Sequence, residues 1–427
     1  MKLFISLKYK CLLTVYFSLS VCYCSQINGQ IPQYDSGVFT FDSKRNSTVS
    51  FSFDLISNLI VIPVLVNNSD TMRFILDTGL KTTMITELDE QDTVDINYAR
   101  QVKILGLGSG DAIDALVSNG NTIKLPGVTG NKQTLHILMQ NVFNLSAKMG
   151  VRIHGIIGYD IFSQFVVKID YANKKVYIID PKKHKIPKKN TRSVSVIDME
   201  LNSGKPYIYS TITGESGFSH KAKILCDTGA SDAIWLLDNG QTMNLVPTKK
   251  IASYLGLGLN GEITGHRGRV SSIELGNFKL KAVTASFPDS VSTNLRSLFD
   301  NRDGSMGGEI FRRFTITFDY SRNKIVLRPN RYFSDRYNYN MSGLEISKPF
   351  LHLPFYEIQA VQPESPGKEA GLQVGDQLLA INGKQTKNLN LDDINEKLIE
   401  GEGKKIKLLI NRSGYIFKTV LQFKSEI

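Results

Sequence analysis

Short apolar runs separated by turn-forming residues dominate the chain up to about residue 330. In VVKIDYANKKVYII (residues 166–179), β-branched and polar residues alternate on both sides of Ala172-Asn173. TITFDYSRNKIVL (residues 315–327) repeats the design. Short strands split by turn residues are typical of β-hairpins in all-β domains. The pattern therefore predicts a mainly β fold here, with further strands at residues 51–66 and 206–213.

A third block with a different pattern follows residue 340. Its centre is SPGKEAGLQVGDQLLAINGK, residues 365–384, in which Asn382-Gly383 is a strong hairpin-turn signal. Residues 391–398 are predicted to form a helix, and residues 404–410 and 415–423 to form strands. The pattern predicts a small α+β domain at the end of the chain.

The mainly β part of the chain repeats itself. From Asp77 to Gly158 is 81 residues, and from Asp227 to Gly307 is 80. Segments that agree in letters and spacing this closely indicate a duplicated domain. The recurring pairs are FILDTGLKTTMI (74–85) with KILCDTGASDAIWL (223–236), ILGLGSG (104–110) with YLGLGLNG (254–261), and residues 158–179 with residues 307–327.

The start of the chain has the pattern of a secretory signal peptide. A positive beginning with Lys2, Lys8 and Lys10 precedes an apolar run over residues 12–21. An uncleaved anchor is the alternative, but the run is short against the roughly 20 apolar residues that span a bilayer. Cys22 also leaves a lipoprotein signal open. We expect cleavage near residue 25 and export to the periplasm or cell envelope, with secretion as the alternative, and no transmembrane span in the mature chain.

Charge and cysteine content bear on two questions: whether the protein binds nucleic acid and whether disulfides stabilise it. The net charge is +11, and removing the three leader lysines leaves 11 − 3 = +8. Much of the excess lies in residues 182–192, a basic run that contains Pro187 and no aromatic residue. We interpret it as a solvated linker, with nucleic-acid binding as the weaker alternative. Outside the leader only Cys226 remains, so an internal disulfide is excluded there and core burial must hold the fold.

The two Asp-Thr-Gly segments resemble the active-site loops of retropepsin-like and pepsin-like aspartic peptidases. In both copies an apolar strand precedes the motif and apolar residues follow it. Ile157-Gly158 and Met306-Gly307 are similar to the strand that packs beside this loop in the family. The first copy departs from the family pattern at Leu80 and Lys81.

The resemblance implies two tandem acid-protease β-barrel domains that form a pseudo-twofold unit, with no metal or organic cofactor. It implies catalytic roles for Asp77 and Asp227. Two carboxyl groups held a few Å apart cannot both ionise comfortably, so they share a proton, and one acts as base while the other acts as acid. The resemblance also assigns loop-supporting roles to Thr78, Gly79, Thr228 and Gly229.

The third block resembles a bacterial PDZ domain through Ser365-Pro366, Ala370-Gly371-Leu372, Gly375-Asp376 and Ile381-Asn382-Gly383. Such domains bind an extended peptide, often a free C-terminus, at a sheet edge. The residues that we predict to contact this tail are Leu353, Pro354, Phe355 and Tyr356. The alternative is that the block only packs against the peptidase.

Together these patterns predict five segments and leave two functions open. The protein is either an endopeptidase acting on a peptide or protein substrate, or a catalytically weak peptide-binding adaptor. An arrangement in which repeats pair in trans between two chains also stays open. The predicted segments are a signal peptide at 1–25, a first peptidase domain at 40–185, a basic linker at 186–195, a second peptidase domain at 196–332 and a PDZ domain at 341–427.

Other residues are candidates of lower rank. The glycine-rich residues 105–111 and 255–266 fall where a substrate-covering flap hairpin is expected, although glycine suits any tight turn equally. His154 and His266 have no nucleophile motif beside them, so we predict structural or surface roles for both. Cys226, next to Asp227, is predicted to be a small buried hydrophobe.

Overall fold

The computed structural model describes residues 37–97, 99–104, 112–238, 240–258, 261–289, 302–399, 401–424 and 427. The predicted leader and the predicted flap segment at 105–111 lie outside the described residues. Within the described ranges, no helix combines the length and apolar character that crossing a bilayer requires.

The first repeat folds into twelve strands and two short helices in its described part. β4 and β5 have nearly all of their side chains buried, as expected for strands rich in β-branched and aliphatic residues. The strands are β1 Phe39–Phe41, β2 Thr48–Ser52, β3 Asp54–Ile56, β4 Leu59–Val66, β5 Met72–Leu76, β6 Met84–Ile85, β7 Ala99–Ile104, β8 Ile113–Leu125, β9 Val128–Leu138, β10 Gly155–Ile157, β11 Val166–Asp170 and β12 Lys175–Ile179, and the helices are α1 Leu145–Met149 and α2 Tyr159–Phe162.

The described strands of the second repeat follow the order of β2–β12 in the first. Its strands are β13 Ser195–Asp198, β14 Glu200–Asn202, β15 Lys205–Thr213, β16 Ser219–Cys226, β17 Ile234–Leu236, β18 Lys250–Gly258, β19 Gly261–Leu275, β20 Phe278–Pro288, β21 Gly304–Met306, β22 Phe314–Asp319 and β23 Lys324–Pro329, and its helix is α3 Gly308–Phe311. Short 3-10 turns lie at Thr242–Leu245 and Tyr320–Arg322.

Each repeat closes six strands into a barrel. In the first repeat the order is β4-β5-β10-β6-β9-β8, and β8 pairs back onto β4. In the second repeat the order is β15-β16-β21-β17-β20-β19, and β19 pairs back onto β15. Closure satisfies the backbone groups that a sheet edge would leave unpaired. The predicted pair of tandem β-barrels is confirmed.

A six-stranded sheet joins the two repeats, in the order β13-β23-β22-β11-β12-β2. The order is palindromic, because each repeat contributes its last hairpin and one earlier strand. At the centre β11 pairs with β22, which brings Ile169 opposite Ile316. The ring of Phe162 packs edge-on against Phe318 at 5.4 Å, so one core runs through both repeats.

The connection to the third domain is fixed by a buried arginine. Arg313 is fully buried, and its guanidinium donates to the carbonyl oxygens of Tyr332, Asp335 and Arg336 at 3.2, 2.6 and 3.2 Å. It also pairs with Glu309 at 2.7 Å. These bonds hold the chain that leaves the second repeat against that repeat.

The third domain is α+β, as predicted. The Asn382-Gly383 turn joins β26 and β27, both residues have positive φ (50° and 82°), and Ile381 pairs with Lys384. The sheet order is β24-β25-β26-β28-β29, with β24 and β29 outermost, and the two-residue strand β27 pairs with β26 beside this path. Its elements are β24 Leu344–Ser347, β25 Glu357–Val361, α4 Pro366–Glu369, β26 Gln377–Ile381, β27 Lys384–Gln385, α5 Leu391–Ile399, β28 Lys405–Arg412 and β29 Tyr415–Gln422.

Truncating the centre of the joining sheet should destabilise both repeats together. Ile169 is fully buried on β11, so Ile169→Ala is expected to lower the free energy of unfolding by about 2–5 kcal/mol. Ile416→Ala makes the same change at an edge-strand position that is 58% exposed and should cost far less. Denaturant unfolding measures both. Equal losses in the two variants would contradict a core shared through this sheet.

Candidate active site

The two Asp-Thr-Gly loops begin where equivalent barrel strands end. Asp77 follows β5, and its N–H donates to the carbonyl of Ile157 on β10 at 2.8 Å. Asp227 follows β16, and its N–H donates to the carbonyl of Met306 on β21 at 2.9 Å. In each repeat the neighbouring strand is parallel, so an equivalent pair of parallel strands positions each loop. A Cβ atom on Gly158 would overlap the Asp77 carbonyl, which explains the glycine there.

The two loops interlock through their threonines. The Thr78 hydroxyl donates to the carbonyl of Cys226 at 2.6 Å and accepts from the Thr228 N–H at 3.0 Å. Thr228 makes the reciprocal pair, donating to the Leu76 carbonyl at 2.7 Å and accepting from the Thr78 N–H at 3.1 Å. Both threonines are buried. Each loop is therefore positioned by the other repeat.

This interlock brings the carboxyl groups of Asp77 and Asp227 into hydrogen-bonding contact. A Cβ atom built on Gly79 would lie 3.0 Å from Asp227 Oδ1, and one on Gly229 would clash with the Asp77 carboxyl group. The N–H of Gly79 donates to Asp77 Oδ1 at 2.6 Å, and that of Gly229 to Asp227 Oδ1 at 2.9 Å. The structure thus brings together all six predicted residues of the two motifs.

The surroundings disfavour two negative charges in this position. Burial raises the pKa of Asp77 well above its ordinary value of 3.8, and the adjacent Asp227 carboxyl raises it further. The Gly79 N–H and the charge of Lys205 act in the opposite direction. Two carboxyl groups in contact, one of them with a raised pKa, suit a pair that holds a single proton.

A long β-hairpin rises from each barrel. β18 and β19 pair antiparallel up to Gly258 and Gly261, which places residues 255–258 and 261–266 of the glycine-rich segment in a hairpin. β7 and β8 form its counterpart in the first repeat, and the tip of that hairpin lies outside the described residues. A Cβ on Gly256 would lie 3.9 Å from the Trp235 ring, so the second hairpin passes over the strand that follows the Asp227 loop.

Asp232 organises a hydrogen-bond network beside the second loop. The sequence motifs did not predict a role for this residue. Its carboxylate accepts from Trp235 Nε1 at 2.8 Å, from Ser286 Oγ at 3.0 Å and from Arg267 on β19 at 3.2 Å. The only signal in the sequence was an acidic residue five positions after Asp227. The network ties the loop to the hairpin above it.

The lower-ranked candidates lie away from the carboxyl pair or serve packing. His154 Nδ1 accepts from the Arg73 N–H at 2.9 Å, and its Nε2 lies 3.3 Å from Asp92. Burial lowers the pKa of this histidine. His266 lies 3.5 Å from Asp289. Cys226 is a free, buried thiol whose pKa burial raises, which matches a small hydrophobe.

The residues predicted to bind a PDZ ligand differ in accessibility. Leu353 and Pro354 are exposed, and Leu353 lines a cavity of about 360 Å³ between the third domain and the first repeat. Phe355 packs on Phe350 with ring centroids 5.6 Å apart. Tyr356 is buried, and its hydroxyl donates to the Leu389 carbonyl at 2.6 Å.

Two β-barrels that meet through reciprocal Asp-Thr-Gly loops define the aspartic-protease class of fold. Comparison with protein families agrees: residues 62–161 and 211–310 match the aspartyl protease family, and residues 357–412 match the PDZ domain family. The chain therefore carries two aspartyl protease segments followed by a PDZ domain.

Among solved structures, the chain is similar to an aspartic proteinase from Irpex lacteus, with 14% identity and a TM-score of 0.44. The match covers 67% of this chain and 99% of that one. None of the curated proteins matches the sequence.

Removing a threonine hydroxyl should weaken the interlock and the fold. Thr78→Val leaves the Cys226 carbonyl and the Thr228 N–H without their buried partner, which is expected to cost about 1–3 kcal/mol of unfolding free energy. Thr78→Ser keeps the hydroxyl and should recover most of the loss. Urea unfolding of the three proteins decides the matter, and a valine variant as stable as wild type would contradict the interlock.

The raised pKa of Asp77 predicts a pH-dependent effect on stability. Because its ionised form is disfavoured in the folded state, this group destabilises the fold progressively as pH rises from 3.8 through the raised pKa. Asp77→Asn cannot ionise and should gain stability relative to wild type over that range, with no such gain below pH 3.8. Exposed Asp70→Asn is the control. Parallel stability curves for wild type and Asp77→Asn would exclude the effect.

Proposed function

We propose that the protein is an aspartic endopeptidase that hydrolyses peptide bonds with a water activated by Asp77 and Asp227. The observation that supports this most directly is the contact between the two carboxyl groups, with the raised pKa of Asp77. Both groups also keep part of their surface accessible, because each residue is only half-buried. A buried structural pair would not need that access.

The proposed reaction follows from a shared proton. The ionised carboxylate takes a proton from a water held between the pair, and the resulting nucleophile attacks the carbonyl carbon of the scissile peptide. The protonated carboxyl group donates a hydrogen bond and then its proton as the tetrahedral intermediate forms. The carboxyl group that took the proton from water then gives it to the amide nitrogen, and the C–N bond breaks. A hydroxyl of the collapsing intermediate returns a proton to the other carboxylate, so the products leave and the singly protonated pair is restored. Asp77 is suited to be the protonated partner, since burial and its neighbour both favour its neutral form.

The alternative, a peptide-binding adaptor with a degenerate site, rested on Leu80 and Lys81. Lys81 is exposed, and the Leu80 carbonyl accepts from the Tyr159 N–H at 3.1 Å. The first loop keeps the same bonds to its aspartate and threonine as the second loop does. These contacts favour an endopeptidase over a peptide-binding adaptor. They also favour a site built by one chain, since both half-sites meet without a second copy.

The substrate that fits this proposal is an extended peptide lying between the carboxyl pair and the hairpins. A PDZ domain implies that the chain also binds peptides, and we propose that it selects protein tails. The short connection held by Arg313 keeps such a tail at high effective concentration near the cleft.

Replacing either carboxyl group should remove the activity and leave the fold. Asp77→Asn and Asp227→Asn are each expected to reduce kcat/KM by about 10²–10⁴-fold or more, because the shared proton is lost. Asp70→Asn, at an exposed position, should retain wild-type activity. Cleavage of a fluorogenic peptide pool is the measurement, with circular dichroism to confirm folding.

The wild-type rate should be bell-shaped in pH, with limits that belong to the coupled pair. Near-normal cleavage by either Asn variant would exclude the paired-carboxyl mechanism. Cleavage that disappears with a metal chelator and returns with zinc would exclude it as well.

A further inference from the structure

The PDZ sheet offers two edges for an added peptide strand, and one of them is covered by the peptidase unit. β24 and β29 are the edge strands, whereas β25 is paired on both sides. The predicted ligand loop, residues 353–356, leads into β25 and therefore opens onto no free edge. β24 runs beside α5, where the Met341 N–H donates to the Leu398 carbonyl at 3.2 Å. A peptide added at β24 would lie between a strand and a helix, the setting that supplies side-chain pockets.

Helix α1 of the first repeat occupies this edge. The N–H of Lys348, the residue after β24, donates to the carbonyl of Ala147 at 2.9 Å. Gly150, which caps α1 with φ at 68°, packs so closely on α5 that a Cβ there would lie 2.7 Å from Leu391 Cβ. The backbone of α1 thus takes a position that an incoming peptide would need.

Contacts from both repeats extend the coverage. The Ser57 hydroxyl, at the turn before β4, donates to Asp392 of α5 at 3.1 Å. From the second repeat, Ile251 on the flap hairpin packs against the PDZ core. Arg269 on the same hairpin donates to the Tyr337 carbonyl at 2.8 Å.

The outward-facing side chain of β24 is half-buried. Leu344 and Ile346 point into the PDZ core, so Glu345 between them faces the peptidase unit. Around it lie the charges of Arg267 and Asp232 from the second repeat and of Lys148 from α1. Lys148 in turn lies 3.5 Å from the Tyr254 hydroxyl on the flap hairpin.

We propose that the PDZ domain is closed in cis: helix α1 and Gly150 occupy its peptide-accepting edge at β24, so docking on the peptidase and binding of an extended peptide there exclude each other. The partner that competes for the edge is a peptide in β conformation, which would displace α1 and release the domain. The inference rests on the peptide-binding part of the proposed function and is independent of hydrolysis.

The charge environment gives the closed state a pH dependence. The pKa of Glu345 is raised from 4.5 to about 6, chiefly by burial and also by the charge of Asp232, while Arg267 and Lys148 act in the opposite direction. Burial also raises the pKa of Asp392, against the hydrogen bond from Ser57. A carboxyl group whose pKa is raised by docking favours the docked state at low pH, and that preference is lost as pH rises through about 6. Glu345→Gln should flatten this dependence.

The test uses the full chain in an Asp227→Asn background, so that bound peptide is not cleaved. Gly150→Leu places a side chain against Leu391 and should undock the domain. Gly217→Leu is the matched control, because Gly217 has a similar positive φ of 83° and nothing within 4 Å of a Cβ atom. The probe is a fluorescein-labelled pool of decapeptides with randomised free C-termini, measured by fluorescence anisotropy. Hydrogen exchange of the β24 amides is measured in parallel.

The proposal expects Gly150→Leu to bind the pool at least about tenfold more tightly than the parent and to exchange its β24 amides faster. Gly217→Leu should match the parent in both measurements. If Gly150→Leu fails to fold, Lys348→Pro removes the N–H donated to Ala147 and should give the same two changes.

Equal binding by the parent and the undocked variant would overturn the proposal. So would faster exchange at β24 without a gain in binding, since the edge would then be free and still accept no peptide. Either result leaves the proposed hydrolysis untouched, because that reaction is measured separately with intact carboxyl groups.

Discussion

The reciprocal hydrogen bonds of Thr78 and Thr228 are the constraint on which the rest of the peptidase unit depends. Each hydroxyl is donor to one strand end and acceptor for the opposite loop, so neither loop has its position without the other. The glycines then permit a closeness that any side chain would prevent. Leaving either buried threonine hydroxyl without one of its partners would cost free energy. The interlock therefore favours a single arrangement of the two repeats.

The barrels and the joining sheet extend the same symmetry to the whole unit. In the six-stranded sheet, equivalent strands of the two repeats follow in the same order from either end. The central pairing of β11 with β22 relates the two repeats as the interlocked loops do. Closing each barrel removes its sheet edges, while the joining sheet gives the two barrels a common core. Rotation of one half would therefore disturb packing at Phe162 and Phe318 as well as the interlock.

The sequence permitted prediction of features that depend on local pattern and on the repeat. Asp77 and Asp227 occupy equivalent positions because a duplicated chain folds twice in the same way, and the resemblance to aspartic peptidases implied that they would meet. The hairpin turn at Asn382-Gly383 required only two adjacent residues. The pairing of Val167 with Phe318 was not predictable, since both segments are ordinary apolar strands that could have stayed within their own barrels.

Contacts between distant segments could not be predicted from local sequence pattern either. Asp232 looked like one more polar residue in a turn, because Arg267 and Ser286, which give it a role, come from distant strands. The predicted ligand loop at residues 353–356 leads into β25. Local pattern does not reveal that β25 is an inner strand while β24 is an edge.

Docking of the PDZ domain links the two halves of the peptidase through one strand. Glu345 of β24 lies among charges from both repeats, with Lys148 on the first and Arg267 on the second. Arg267 also bonds to Asp232, five residues after Asp227, so the network that supports the second loop reaches the PDZ surface. A domain that bridges both halves at this point opposes their separation and restrains the flap hairpin through Ile251. Release of β24 by a peptide would remove these contacts together, because they belong to one packed surface. If the PDZ domain binds a peptide at β24 as proposed, the same displacement would also free the hairpin formed by β18 and β19.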